Sequence, residues 1–255
     1  MASVTLKAFA KAGYRVFALD LRVGEAIENV IPIEGDVTSE ESLEKALRIV
    51  SSECDRLFAI LHFAGIYMLN SLVEMPKADF ERIFRINLGG AYLVNKIFLP
   101  LLGRGSKILI TTSELAPLDP LPFTGVYAVS KAALDGYAYS LRMELQLLGI
   151  SVSVLRAGAV STDMLGVSTD ALDRFCSSTA LYRCNAARFK RIVDSVEARC
   201  VSPEAIAKKA KSIVAKKNPR FAYAKNRNPL LLLLNLLPRR MQLFAIRCVL
   251  KDKKQ

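Results

Sequence analysis

Apolar and polar positions along the chain alternate between two rhythms. Short apolar runs at residues 14–19, 30–34, 57–63, 107–112 and 151–156 read as strands. The run Leu57 to Phe63 is apolar throughout, which suits a strand covered on both faces of a parallel sheet. Between the runs the period becomes helical. Residues 5–12 form the body of a helix that Gly13 closes as a C-cap. Thr38 or Ser39 caps a second helix running to about residue 52. A long helix is predicted over 77–102, and another opens at Tyr127 and runs to Leu148. Strands alternating with helices predict an α/β fold built on a doubly wound parallel sheet. No linker rich in Pro, Gly or Ser divides the chain and no repeat is visible, so one domain is expected over residues 1–228, followed by a distinct tail at 229–255.

Polar residues fall at the strand ends, where open α/β sheets bind ligands. Tyr127 and Lys131 stand four apart on a helix and therefore share a face. A cation beside a phenol favours phenolate, so Lys131 is expected to lower the pKa of Tyr127 from about 10 toward a value usable for proton transfer. Ser113 ends the strand before this helix, where its hydroxyl could bind a substrate oxygen. Asp20 ends the first apolar run, where a carboxylate can take both ribose hydroxyls of an adenosine and repel a 2′-phosphate, although Arg22 lies two residues on. Asp36 could accept from an adenine amine. Both aspartates also read as turn residues.

The 52% hydrophobic content supports a sizeable core. Five scattered cysteines, odd in number, fit a reduced, cytoplasmic setting. A lone histidine, His62, reads as a strand-end core residue, and no clustered ligand set points to a metal. The net charge of +12 is uneven: residues 208–255 hold 14 Lys and Arg against one acid, Asp252. Few aromatics interleave with these cations, which argues against nucleic acid. The apolar segment from Leu230 onward is broken by Asn235 and Pro238, too short to span a bilayer. Such a tail can lie on a membrane surface, cap a pocket or pack on a second subunit.

In this order the features resemble the short-chain dehydrogenase/reductase family over roughly residues 3–200. That resemblance implies a Rossmann-like fold and an oxidoreductase moving a hydride between NAD, with NADP left open, and a carbonyl or alcohol. It assigns catalysis to Asn87 (holder of a relay water), Ser113, Tyr127 and Lys131. It assigns cofactor contacts to Asp20, Asp36, Val37, Ala64, Gly65, Tyr127, Lys131, Val160 and Thr162, and implies a homodimer or homotetramer paired through the two long helices. Residues 163–200 would form a substrate lid. The loop Leu115 to Phe123, stiffened by three prolines, fits a steroid-, retinoid- or lipid-like substrate.

Departures from the pattern carry expectations of their own. Ser113 precedes Tyr127 by one residue more than is usual, with Thr112 as the fallback. His62-Phe63 replaces an asparagine pair, and Ala157 replaces a proline. The first strand and the glycine-rich phosphate loop of the family have no counterpart before Ala2, and their absence would leave the strands at 14–19 and 57–63 with open edges. Two readings follow: a copy truncated at its start, or a remnant that has lost dinucleotide binding and serves as a silent scaffold.

Overall fold

The computed structural model describes residues 1–24, 27–161, 163–197 and 200–251. Its first half runs α1 (Ala2–Ala10), β1 (Val16–Asp20), β2 (Val30–Glu34), α2 (Glu40–Glu53), β3 (Ala59–His62), α3 (Lys77–Phe84), α4 (Gly90–Phe98), β4 (Lys107–Ser113) and α5 (Gly125–Leu145). The second half runs β5 (Ser151–Ala157), α6 (Asp163–Ser178), α7 (Arg183–Glu197), α8 (Pro203–Val214), β6 (Ala222–Lys225), α9 (Pro229–Leu236) and α10 (Arg239–Leu250). Local signals act where the sequence places them. Gly13 turns at φ 84° after α1, a left-handed conformation that suits glycine. The Ser39 hydroxyl accepts the Ser42 amide at 3.2 Å and caps α2.

Among the described residues the named strands pair only in parallel, in two sheets. One has the order β3-β4-β5-β6, the other pairs β1 with β2. In the larger sheet β4 lies between β3 and β5, with Leu109 opposite Leu61 on one side and Ser153 on the other. Every residue of β4 is buried. Its side chains alternate between two cores, as the pleat demands. Leu109 packs with Phe9 of α1 and with Ile206, Ala210 and Ile213 of α8. Ile108 and Ile110 pack with Leu134 and Ala138 of α5.

Strands β1 and β3 stand on either side of a seam. The Tyr14 and Phe58 rings stack across it at 5.8 Å, and Phe17, Leu19 and Ile60 share the core under α2 and α4. Yet no hydrogen-bonded pairing joins β1 to β3 among the described residues. The Val16 amide donates to Asn29 on the β2 side, and the Phe58 carbonyl accepts from Lys107 on the β4 side. By alternation, Phe17 and Leu19 of β1 and Ala59 and Leu61 of β3 turn their backbone N–H and C=O groups toward the seam.

The long helix expected over 77–102 is interrupted. A π turn, Arg85–Gly89, separates α3 from α4, and a 3₁₀ turn at Leu99–Leu101 ends it around Pro100. Gly90 marks a close approach: an added Cβ would sit 2.7 Å from Val37 Cγ2. In the tail, Ile246 and Leu250 of α10 join Phe123, Phe175 and Phe189 in one apolar cluster, and Asn185 donates to the Leu250 carbonyl at 2.7 Å. Among the described residues, no helix is long and apolar enough to cross a membrane.

Candidate active site

Ser113, Tyr127 and Lys131 meet because β4 delivers its last residue to the first turn of α5. The Ser113 hydroxyl hydrogen-bonds the Tyr127 phenol, and it also accepts the Leu115 amide at 3.2 Å. Thr112, the fallback, points the other way and donates to Asp135 at 3.2 Å. Asp135 is in turn held by both arms of Arg156, at 3.0 and 2.7 Å. Alternation along β4 therefore separates Ser113 from Thr112, and the longer spacing to Tyr127 is absorbed in the loop between.

Lys131 is buried at 6% exposure. Its ammonium lies 5.8 Å from the Tyr127 ring centroid and donates weakly to the Thr111 carbonyl at 3.4 Å. No carboxylate pairs with it among the described residues. Burial brings it down to about 8, still protonated at neutral pH. The expectation that Lys131 lowers the Tyr127 pKa is corrected here. Burial pushes the phenol up to about 12, and the bond from Ser113 offsets this only in part. Desolvation penalises the phenolate more than a cation standing over the ring relieves it.

Asn87 occupies the π turn and acts as a clamp. Its Oδ1 accepts the Ile66 amide at 2.8 Å, and its Nδ2 donates to the Ile66 carbonyl at 3.0 Å and to Ser130 Oγ at 3.1 Å. Ser130 in turn donates to the Tyr127 carbonyl at 2.8 Å. The loop after β3 is thus fastened to the first turn of α5. Ala64 and Gly65 begin that loop. A Cβ at Gly65 would lie 3.1 Å from Asn87 Oδ1 and 3.2 Å from Lys131 Nζ, so glycine keeps that space clear. His62, just before it, is a core residue. Its Nε2 meets Asn95 Oδ1 at 2.8 Å, and burial lowers its pKa to about 4.

The other predicted cofactor contacts are less concerted. Asp20 is exposed at the end of β1, where it receives the Arg22 amide at 3.4 Å. Asp36 turns back on its own loop and accepts both the amide and the hydroxyl of Thr38 at 2.8 Å, a turn aspartate. Val37 packs toward Gly90. Val160 is buried and bridges to Val201. Thr162 lies outside the described residues.

A nicotinamide dinucleotide fits this surface at one end. A buried ammonium without a counter-ion, the clearing at Gly65 and the Thr111 hydroxyl, buried with no partner among the described residues, suit the hydroxyls of a nicotinamide ribose. At the other end, α1 begins at Met1-Ala2-Ser3 with no glycine and no side-chain cap, so the cradle for a pyrophosphate is not formed by the described residues.

Three participants escaped the sequence reading. Tyr67 sets its ring edge-on to Tyr127 at 4.8 Å. Its position, two residues after Gly65, is the only signal in the sequence. Glu114, beside Ser113, accepts the Asn228 amide at 2.6 Å and fixes the start of α9. Phe123 holds a left-handed φ of 65° while its ring packs on Phe175, Tyr182 and Phe189.

Comparison with known proteins identifies the family. The family profile described as short chain dehydrogenase matches residues 2–173. The chain belongs to the short-chain dehydrogenase family. Among relatives, it is 30% identical over 191 residues to the uncharacterized oxidoreductase YbbO of Escherichia coli K12, covering 74% of this chain and 66% of that protein. It is 30% identical over 150 residues to mouse estradiol 17-beta-dehydrogenase 2, covering 58% of this chain and 39% of that protein. The chain thus spans about two thirds or less of the length of these two relatives. Among solved structures, ElxO with NADP bound superposes with a TM-score of 0.69 at 18% identity, covering 87% of this chain and 91% of that one.

Proposed function

We propose that this chain carries the reaction centre of an NAD(P)-dependent oxidoreductase acting on the carbonyl or alcohol of a hydrophobic substrate. The observation that carries the reading is the buried Lys131 ammonium, held without a carboxylate partner beside the Tyr127–Ser113 pair. The bound nicotinamide would supply or accept the hydride at the substrate carbon. Tyr127 gives or takes the proton at the substrate oxygen, and Ser113 orients that oxygen. Lys131 binds the ribose hydroxyls and opposes charge on the phenolate as it forms. Asn87 keeps the loop after β3 and the first turn of α5 in register. At neutral pH the resting phenol is protonated, the form that gives a proton to a carbonyl oxygen.

A hydrophobic substrate is supported by an open groove of about 420 Å³ that reaches Gly125 at the start of α5, between Leu72, Leu121, Pro122 and Phe123 on one wall and Ile246 and Leu250 of α10 on the other. The steroid named for the mouse relative belongs to the same chemical class. The choice of NAD over NADP rests on Asp20, while ElxO is a neighbour with NADP bound. A homodimer through α4 and α5 is supported by Val129, Ala132, Gly136 and Met143, which leave a low exposed face on α5.

The second reading is a silent scaffold, favoured by the inward turn of Asp36. Fluorescence titration with NADH and NADPH separates the two, followed by reduction of a hydrophobic ketone panel. Saturable binding, with turnover lowered about 10²–10⁴-fold in Tyr127→Phe at little change in cofactor affinity, supports the oxidoreductase. Full turnover by Tyr127→Phe refutes it, and binding of neither nucleotide favours the scaffold.

A further inference from the structure

Helices α9 and α10 turn large apolar side chains to the solvent while amide side chains face the protein. In α9 no residue is buried, and Leu230, Leu233 and Leu236 are 66%, 61% and 81% exposed. Its polar residue Asn235 faces the protein, where Oδ1 accepts the Asp119 amide at 2.7 Å. In α10 Gln242 is buried together with Leu250, and it donates to Asp119 Oδ2 at 3.1 Å and to the Leu237 carbonyl at 2.9 Å. Its neighbours Leu243 and Phe244 are 69% and 70% exposed. A helix packed on a water-soluble core does the opposite and sends its amides outward.

Charge completes the pattern. Arg240, Leu243, Phe244, Arg247 and Lys251 fall three, four, seven and eleven residues along, which sets them in one exposed stripe with cations at both ends. No acid occurs anywhere between Glu204 and Asp252. Paired against itself in a second copy, this stripe would set cation against cation. Against an anionic lipid surface the leucines and Phe244 would reach the acyl boundary while the cations meet headgroups. We propose that the outer face of α9 and α10 docks on an anionic bilayer, with both helices in the plane of the interface. The helices are too short to cross one.

The test is co-sedimentation of the full chain with vesicles of phosphatidylcholine alone and with phosphatidylserine added. Deleting the tail would uncover Phe175 and Phe189 where Leu250 covers them, so exposed point variants are used instead. The chain should pellet with the phosphatidylserine vesicles and release as salt rises. Leu243→Glu/Phe244→Glu and Arg240→Glu/Arg247→Glu should each lower the partition coefficient about tenfold or more, with circular dichroism and melting unchanged. Equal recovery in the supernatant with both vesicles overturns the proposal, as does unchanged pelleting of both variants. Sedimentation equilibrium showing self-association through Leu243 and Phe244 without lipid binding also overturns it, in favour of a second copy.

Discussion

Strands β4 and β1 both run parallel beside a helix-covered core, yet every residue of β4 is buried and none of β1 is. Around β4 the polar groups are nearly all engaged: Thr112 with Asp135, Asp135 with Arg156, Ser113 with Tyr127, Asn87 with Ile66 and Ser130. Around β1 the sheet is two strands wide, one edge faces the seam, and Asp20 stands in solvent. The contrast shows how the residues proposed for catalysis keep their geometry independently of those proposed for the nucleotide. The former are also core and clamp residues, so packing on both faces of β4 positions them. The proposed adenosine end depends on loops and edges that little else holds.

The largest expected effect separates the two strands directly. Leu109→Ala, at a fully buried β4 position, should cost about 3 kcal/mol, whereas Leu19→Ala on half-buried β1 should cost about 1 kcal/mol. Urea unfolding measures both, and equal losses would erase the distinction. Next comes pH. The folded-state pKa of His62 is about 4, below its ordinary 6.5. Between these values the unfolded chain takes up a proton that the fold refuses. Stability should therefore fall as pH drops from 6.5 toward 4, by about 3 kcal/mol at most. His62→Gln, compared with the parent by unfolding at pH 7 and pH 4.5, should show a smaller acid loss.

Lys131 gives the third test. Its folded-state pKa of about 8 lies below the ordinary 10.5, so the unfolded chain holds its proton more readily. The cost accrues as pH falls from 10.5 to 8 and is complete at neutral pH. Lys131→Met should therefore stabilise the apo chain, by about 1–3 kcal/mol, while removing turnover. A lower melting temperature for this variant would mean that the ammonium is better solvated than its burial implies. The smallest effect is local. Amide exchange at Phe17, Leu19, Ala59 and Leu61, which face the seam, should outpace that at Ile108 and Ile110 within β4.

Sequence alone disclosed the half that obeys simple periods. The runs at 30–34, 107–112 and 151–156 match β2, β4 and β5 almost to the residue, and for β4 and β5 the reason is that buried parallel strands are written as apolar blocks. Tyr127 and Lys131 were legible from helical spacing. The pKa direction of Tyr127 was not, since burial is a property of the whole fold. The π turn around Asn87 leaves no periodic mark, and Ala222–Lys225 is too short and weakly apolar to announce a strand. Helices α9 and α10 escaped because apolar residues lie on their outer as well as their inner faces, so no single stripe marks the packed side.

The backbone of Phe123 has a consequence for how catalysis and selectivity are linked. A non-glycine residue at φ 65° is strained and stays there only because its ring is wedged among Phe175, Tyr182 and Phe189. Those three rings belong to α6, to α7 and to the turn between them, whereas the Phe123 carbonyl accepts the Asn70 amide and α5 begins two residues later. Helices α6 and α7 are therefore latched to the helix whose first turn presents the Tyr127 phenol. Substitutions that reshape α6 and α7 would be transmitted to Tyr127, the proton donor of the proposed reaction. Redesigned variants should thus change kcat along with KM, and selection for a new substrate in this chain would favour mutations that leave the aromatic latch intact.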